Sequence, residues 1–173
     1  RSLMGAHIDF WHVTGEALDH ALSAFGLDDP RLRSMLMQLY LEPPLYRDVP
    51  DTLAAIKAKN LRTAILSNGS ITMLAGAVNG HNLRTLLDVV LSVDEVHVFK
   101  PHPSVYKLAT DKLGLPAERL LFVSSNAWDA HAARYFGFRT AWVNRGGHPR
   151  ETLPGAPDFE IRGLSELAPL LGL

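Results

Sequence analysis

The stretch Leu120-Leu121-Phe122-Val123-Ser124-Ser125-Asn126-Ala127-Trp128-Asp129 decides how this chain folds. Its first four residues form a short, continuous apolar run, the pattern of a strand buried on both faces of a parallel sheet, and the side chains turn polar within one residue. The polar groups therefore fall at the carboxyl end of a strand. In open α/β sheets that is where loops converge on a crevice and ligands bind. Beyond them Trp128, Ala132 and Tyr135 recur at helical spacing, and Gly137 supplies a stop. Ser124, Ser125, Asn126 and Asp129 are thus expected to crown a strand-to-helix turn.

Working outward, the same grammar repeats. A helix over Pro103 to Leu113 leads into this stretch, and the strand Thr140 to Val143 follows it. Upstream, a helix over Asp51 to Lys59 precedes the strand Thr63 to Leu66, and one over Ile71 to Val78 precedes the strand Val89 to Val93. The tail offers a short strand, Phe159 to Ile161, and a closing helix. Helix and strand alternating at this spacing imply right-handed crossovers and a parallel sheet. Residues up to about Leu45 read as helix only. Thr14 is expected to cap a helix with the apolar face Leu18, Ala21, Leu22 and Phe25, ended by Gly26; Asp29 and Pro30 open a second one carrying Leu32, Met35, Leu36 and Leu39. Met35 and Met37 are expected to fill core. The expected fold is α/β: a Rossmann-like parallel sheet flanked by helices over residues 47–173, preceded by a partial helical domain over residues 1–46.

Composition narrows the function. With 173 residues, 47% hydrophobic and 20% charged, the chain has the make-up of a globular domain that buries a real core. A net charge of −1 with both signs scattered gives no electrostatic reason to expect nucleic acid or an anionic membrane, so a small molecule is the expected partner. The absence of cysteine excludes disulfides, Cys zinc sites and thiol catalysis. No apolar run approaches the roughly 18 residues of a bilayer span, and no apolar stretch of a secretory signal follows Arg1. Cytoplasm is the expected compartment.

Three polar clusters sit at predicted strand ends. Ser67-Asn68-Gly69-Ser70 gives a turn that would expose backbone N–H groups near a helix start, a site for a carboxylate or phosphate; read alone it is equally an ordinary turn capped by Ser70. Lys100, between an apolar segment and Pro101-His102-Pro103, lies where its ammonium reaches a carboxylate across a sheet end, although an isolated lysine there is more often solvated. The third cluster is Ser124 to Asp129, in which Asp129 also compensates a helix dipole. Parallel topology brings successive strand ends to one crevice, so the three together point to a site.

These clusters resemble the haloacid dehalogenase superfamily, and the wording SNGS, FKPHPSVY, SNAWDA and ARYFGF is closest to its (S)-2-haloacid dehalogenases, also called L-2-haloacid dehalogenases of type II. In such enzymes an aspartate displaces halide at carbon 2 with inversion, and water hydrolyses the aspartyl ester to an (R)-2-hydroxy acid. The resemblance implies that Ser67 and Asn68 hold the substrate carboxylate and line the halide side. It implies that Lys100 keeps the nucleophile ionised and that Tyr106 supports the site. Ser124, Asn126 and Asp129 would hold lysine and nucleophile and position water, while Phe10 and Trp128 would form the pocket for the alkyl group; aromatic residues also commonly just pack. Phosphatases of the superfamily place acids at this strand end to hold Mg²⁺, whereas here the positions read Ser-Ser-Asn with only Asp129 acidic, so neither metal nor cofactor is expected.

The family's nucleophilic aspartate, on a first strand, and its halide-binding arginine have no counterpart here. Asp9 follows no apolar strand. The expectation is that the chain begins inside the cap domain, that it is inactive alone, and that an N-terminal segment or a partner supplies the missing strand. Without it the neighbouring strands would leave backbone edges that template association. The resemblance also implies a homodimer. A superfamily phosphatase and a catalytically dead interaction module are the alternatives. A Ser-His-Asp hydrolase lacks the G-x-S-x-G elbow. His97, His102 and His131 have no metal-site spacing and are expected at the surface or as caps.

Overall fold

The computed structural model describes residues 1–172. Leu173, the last residue of the expected core domain, lies outside the described residues. In chain order the helices are α1 (Phe10–Ala24), α2 (Pro30–Leu41), α3 (Val49–Ala58), α4 (Ile71–Gly80), α5 (Pro103–Leu113), α6 (Ala127–Phe136) and α7 (Leu167–Leu171); the strands are β1 (Ala64–Ser67), β2 (Val89–Ser92), β3 (Leu121–Ser124), β4 (Arg139–Val143) and β5 (Phe159–Ile161). The protein is an α/β fold. Two compact units form, one from Arg1–Tyr46 with Ala64–Phe99, the other from Arg47–Thr63 with the chain from Lys100 onward.

In the first unit, Asp9 and not Thr14 caps α1: its Oδ1 accepts the His12 N–H at 3.0 Å, and the Thr14 hydroxyl, one turn inside the helix, donates to Phe10 O at 2.7 Å. Aspartate is among the preferred N-caps and needs only the extended backbone that Asp9 has, φ −63° and ψ 161°. Asp29 caps α2 through the N–H groups of Arg31 and Leu32, with Pro30 at the first helical position as expected. Met37 is buried, but Met35 is 68% exposed, because residues two apart on a helix cannot share a face. Phe25, expected on the apolar face of α1, is likewise exposed at its C-terminal end. α2 and α4 approach so closely that a Cβ at Gly76 would lie 2.6 Å from Leu41 O. β1 and β2 pair in parallel from Ala64↔Val89 to Ser67↔Ser92, joined through α4, which Ser70 caps by accepting the Met73 N–H.

In the second unit, β3, β4 and β5 form a parallel sheet in that order, with Ser124 opposite Trp142 and Ala141 opposite Phe159. Strand alternation sends Leu121 and Val123 to one face, where they pack with Ala141, Val143, Ile161 and Leu167. Phe122 goes to the other face and stacks on Phe138, with Tyr106 and Phe136 completing an aromatic cluster. Asp48, just before α3, accepts from the Arg145 guanidinium and from the Leu164 N–H, tying the loop after β4 and the turn before α7 to the start of α3. His102 caps α5 as expected, accepting the Ser104 N–H, and His97 is exposed, but His131 is buried, its ring against Pro154 O.

The hydrogen-bonded strands form two sheets, of two and three strands, rather than one. β3 is, among the described residues, an edge strand of its sheet, and its residues are half-buried although side chains pack on both of its faces. Among the described residues no helix is long and apolar enough to cross a membrane.

Candidate active site

β3 ends at Ser124, and the chain turns over Ser125 and Asn126 into α6, whose first turn carries Asp129. The helix start directs Asp129 back toward the strand end. There the Ser124 hydroxyl donates to Asp129 Oδ2 at 3.0 Å and accepts the Asn126 N–H, which closes the turn. Lys100, immediately before Pro101 and three residues before Pro103 at the start of α5, donates from Nζ to the same Oδ2 at 2.6 Å. Tyr106, one turn into α5, donates its phenol to Oδ1 at 2.8 Å. Asp129 thus accepts from three side chains while its own is only 2% exposed, and Lys100 is 10% exposed.

Three donors converge on this buried carboxylate, and its Oδ2 holds the Lys100 ammonium in place. The ammonium is a point charge with three protons, held here at the end of a strand. Phe122 lies beneath it, with the ring centroid 5.3 Å from Nζ. Burial pushes the Tyr106 phenol far above its ordinary pKa, and the negative charge of Asp129 and the hydrogen bond to it add to the effect. Tyr106 therefore stays a donor. Such a cluster can stabilise an anion or hold a second carboxylate ionised.

The sequence-predicted residues of this unit divide. Lys100, Tyr106, Ser124 and Asp129 form one connected set. Asn126 joins it through its backbone only, as the exposed N-cap residue of α6 whose side chain makes no capping bond. Trp128, on α6, is 36% exposed. Phe122 was not singled out in the sequence, because within an apolar run it reads as core; its place two residues before Ser124, on the same strand face, was the available signal.

In the first unit, Ser67 ends β1 and its Oγ accepts the Gly69 N–H at 3.0 Å, which leaves the hydroxyl proton to donate. Asn68 follows, half-buried. The expected array of exposed N–H groups at the start of α4 is not what forms: besides Gly69, Ile71 donates to Asp94 Oδ2 and Met73 to Ser70 Oγ. Side-chain acceptors have taken these three donors. Phe10, the first residue of α1, packs edge-on against Phe99 at 5.9 Å. Among the described residues no group of three His, Cys, Asp or Glu side chains is arranged to hold a metal ion.

Parallel strands flanked by helices, with polar side chains at strand carboxyl ends, define a Rossmann-like α/β protein. A sequence model described as haloacid dehalogenase-like hydrolase matches residues 3–137. The chain is 45% identical over 172 residues to (S)-2-haloacid dehalogenase 1 of Pseudomonas sp. (strain CBS-3), covering 99% of this chain and 76% of that protein. It is 45% identical over 171 residues to the (S)-2-haloacid dehalogenase of Pseudomonas sp. (strain YL), covering 98% and 74%. Among solved structures, the L-2-haloacid dehalogenase of Xanthobacter autotrophicus with chloropropionic acid covalently bound superposes with a TM-score of 0.90 at 37% identity, covering 99% of this chain and 79% of that one. The chain belongs to the haloacid dehalogenase-like hydrolases and, within them, to the (S)-2-haloacid dehalogenases, hydrolases that act on carbon–halide bonds.

Proposed function

We propose that the protein hydrolyses short-chain (S)-2-haloalkanoic acids to (R)-2-hydroxy acids through an aspartyl ester, without metal or cofactor. The observation that carries this reading is the buried Lys100–Asp129 pair at the end of β3. A carboxylate oxygen attacks carbon 2 opposite the halogen, and the carbon–halogen bond breaks with its electron pair leaving as halide. Water then adds to the ester carbonyl, releasing the inverted hydroxy acid and restoring the carboxylate. Lys100 keeps that carboxylate ionised, while Asp129, Tyr106 and Ser124 fix Lys100. Asn126 positions the attacking water, Ser67 and Asn68 take the substrate carboxylate and line the halide side, and Phe10 and Trp128 line the pocket for the alkyl group. The covalent adduct held by the Xanthobacter relative supports a nucleophilic route.

The nucleophilic aspartate belongs, in this reading, to a segment outside the 173 residues, and the chain alone is inactive. Support comes from β1 and β3, each paired on one side only among the described residues. Residues 1–46 are then the remainder of a helical cap and residues 47–173 the core domain. The active form is a cytoplasmic homodimer.

The test is halide release from (S)- and (R)-2-chloropropanoate with chelator present, by the full-length gene product and by the 173-residue chain. Release from the (S) substrate by the longer protein only is the expected outcome. No release by a folded longer protein carrying the aspartate sinks the reading, and phosphate release dependent on Mg²⁺ would replace it with a phosphatase. A longer protein without the aspartate would instead favour an interaction module.

A further inference from the structure

The turn that carries Ser67 and Asn68 is held from the neighbouring strand. Register places Ser92, the last residue of β2, opposite Ser67, the last residue of β1. From there the buried Ser92 hydroxyl donates to Gly69 O at 2.7 Å and accepts the Asp94 N–H at 3.1 Å. Asp94, so oriented, accepts the Ile71 N–H at 3.0 Å with Oδ2. Gly69 in turn donates to Ser67 Oγ at 3.0 Å. The chain Asp94 to Ser92 to Gly69 to Ser67 is therefore continuous, and it brackets Asn68 on both sides.

Two features set this arrangement apart from an ordinary turn. Asp94 puts its carboxylate at the first N–H of α4, where a helix favours an anion, so that end of the helix is already occupied and a substrate carboxylate is left to the side chains before it. Its other oxygen, Oδ1, is buried with no hydrogen-bond partner among the described residues. A buried acceptor without a partner costs stability.

We propose that Ser92 and Asp94 are positioning residues for substrate recognition, acting through the Ser67–Asn68 turn. This rests on the reading of that turn as the carboxylate-binding element. Loosening it weakens binding of the substrate carboxylate in ground and transition state alike, which raises KM and leaves kcat little changed.

Ser92→Ala, Asp94→Ala and Asp94→Asn test the idea, the last retaining an oxygen acceptor for Ile71. In the 173-residue chain, hydrogen exchange of the peptide over Ser67 to Met73 is expected to quicken in both alanine variants and to stay near the unaltered rate in Asp94→Asn, with peptides over β3 and α5 unchanged. In whichever form of the protein releases halide, each alanine variant is expected to raise KM for (S)-2-chloropropanoate, and the dissociation constant of propanoate, by about tenfold, the effect of losing one hydrogen bond's positioning. Unchanged exchange overturns the inference, and so does faster exchange with unchanged KM and propanoate affinity. Absence of halide release by the unaltered protein strikes the functional reading instead, and the exchange and propanoate measurements still decide this one.

Discussion

Asp129 is the residue on which the second unit's polar chemistry converges, and its burial sets the size of the effects. Replacing Tyr106 by Phe removes one of three donors and leaves Oδ1 without that partner at a site where Tyr106 itself is 1% exposed. The expected loss is about 1–3 kcal/mol in urea unfolding, the desolvation cost of an unmet buried acceptor. Lys100→Met goes further, stranding a carboxylate that is 2% exposed, with an expected loss of about 3–5 kcal/mol. Adding Asp129→Asn to it should recover part of that loss, since the stranded charge goes with it. A double variant as unstable as the sum of the singles would contradict the pairing. Halide release by the form that turns over should fall about 100-fold or more in Lys100→Met, as for removal of a preorganised charge at a reacting centre.

At the scale of elements, the packing of α2 on α4 depends on Gly76. A methyl group there would meet Leu41 O at 2.6 Å, a backbone atom that cannot turn aside, so Gly76→Ala must push the helices apart. The expected cost is about 1–3 kcal/mol, typical of overpacking. Gly80, in the same helix with nothing within 4 Å of a built Cβ, is the control, and its alanine variant should be neutral or more stable by up to about 1 kcal/mol. Similar losses at both positions would place the cause in α4 itself. Contacts of this kind are illegible in sequence, because they depend on the distance between elements far apart in the chain. What was legible follows from local pattern: β3, the start of α6, and the candidate residues Lys100, Ser124 and Asp129 are marked by an apolar run that turns polar and by Pro101 and Pro103, whereas Tyr106 was singled out by the family resemblance alone. Asp9 was missed as a cap because no apolar run marks the segment before it, and Thr14 offered a plausible but weaker substitute. The apolar run at Leu121 to Val123 specified a strand without saying that it would lie at an edge, which is a matter of partners.

Across the whole molecule, the shifted groups define a pH window for stability. In the second unit burial works to raise the Asp48 pKa, but the hydrogen bonds and charge of Arg145 and the Leu164 N–H outweigh it and hold the carboxyl below its usual value. Hydrogen bonds from Asn144 and then Arg150 hold Glu160 low in the same unit, and the His12 N–H holds Asp9 low in the other. A carboxylate with a depressed folded-state pKa binds fewer protons folded than unfolded between its two pKa values, so its stabilisation is fully present above the unfolded value, about 4, and is lost as pH falls from there through the lower folded-state pKa. Tyr106 has the opposite sign. Its phenol is raised by burial, so the folded state keeps a proton that the unfolded chain gives up, and its stabilisation is lost as pH rises beyond about 10. The urea midpoint is therefore expected to be nearly flat between about pH 5 and 9 and to fall on both sides, for reasons that mutation can separate. Asp48→Asn should lower the plateau and shallow the acid limb without touching the alkaline one, because the proton uptake that drives acid unfolding is then reduced. Tyr106→Phe should shallow the alkaline limb alone, since no phenol is left to ionise. An alkaline limb as steep in Tyr106→Phe as in the unaltered protein would show that the Asp129-bound phenol does not govern it, and would remove the stability argument for a permanently protonated Tyr106.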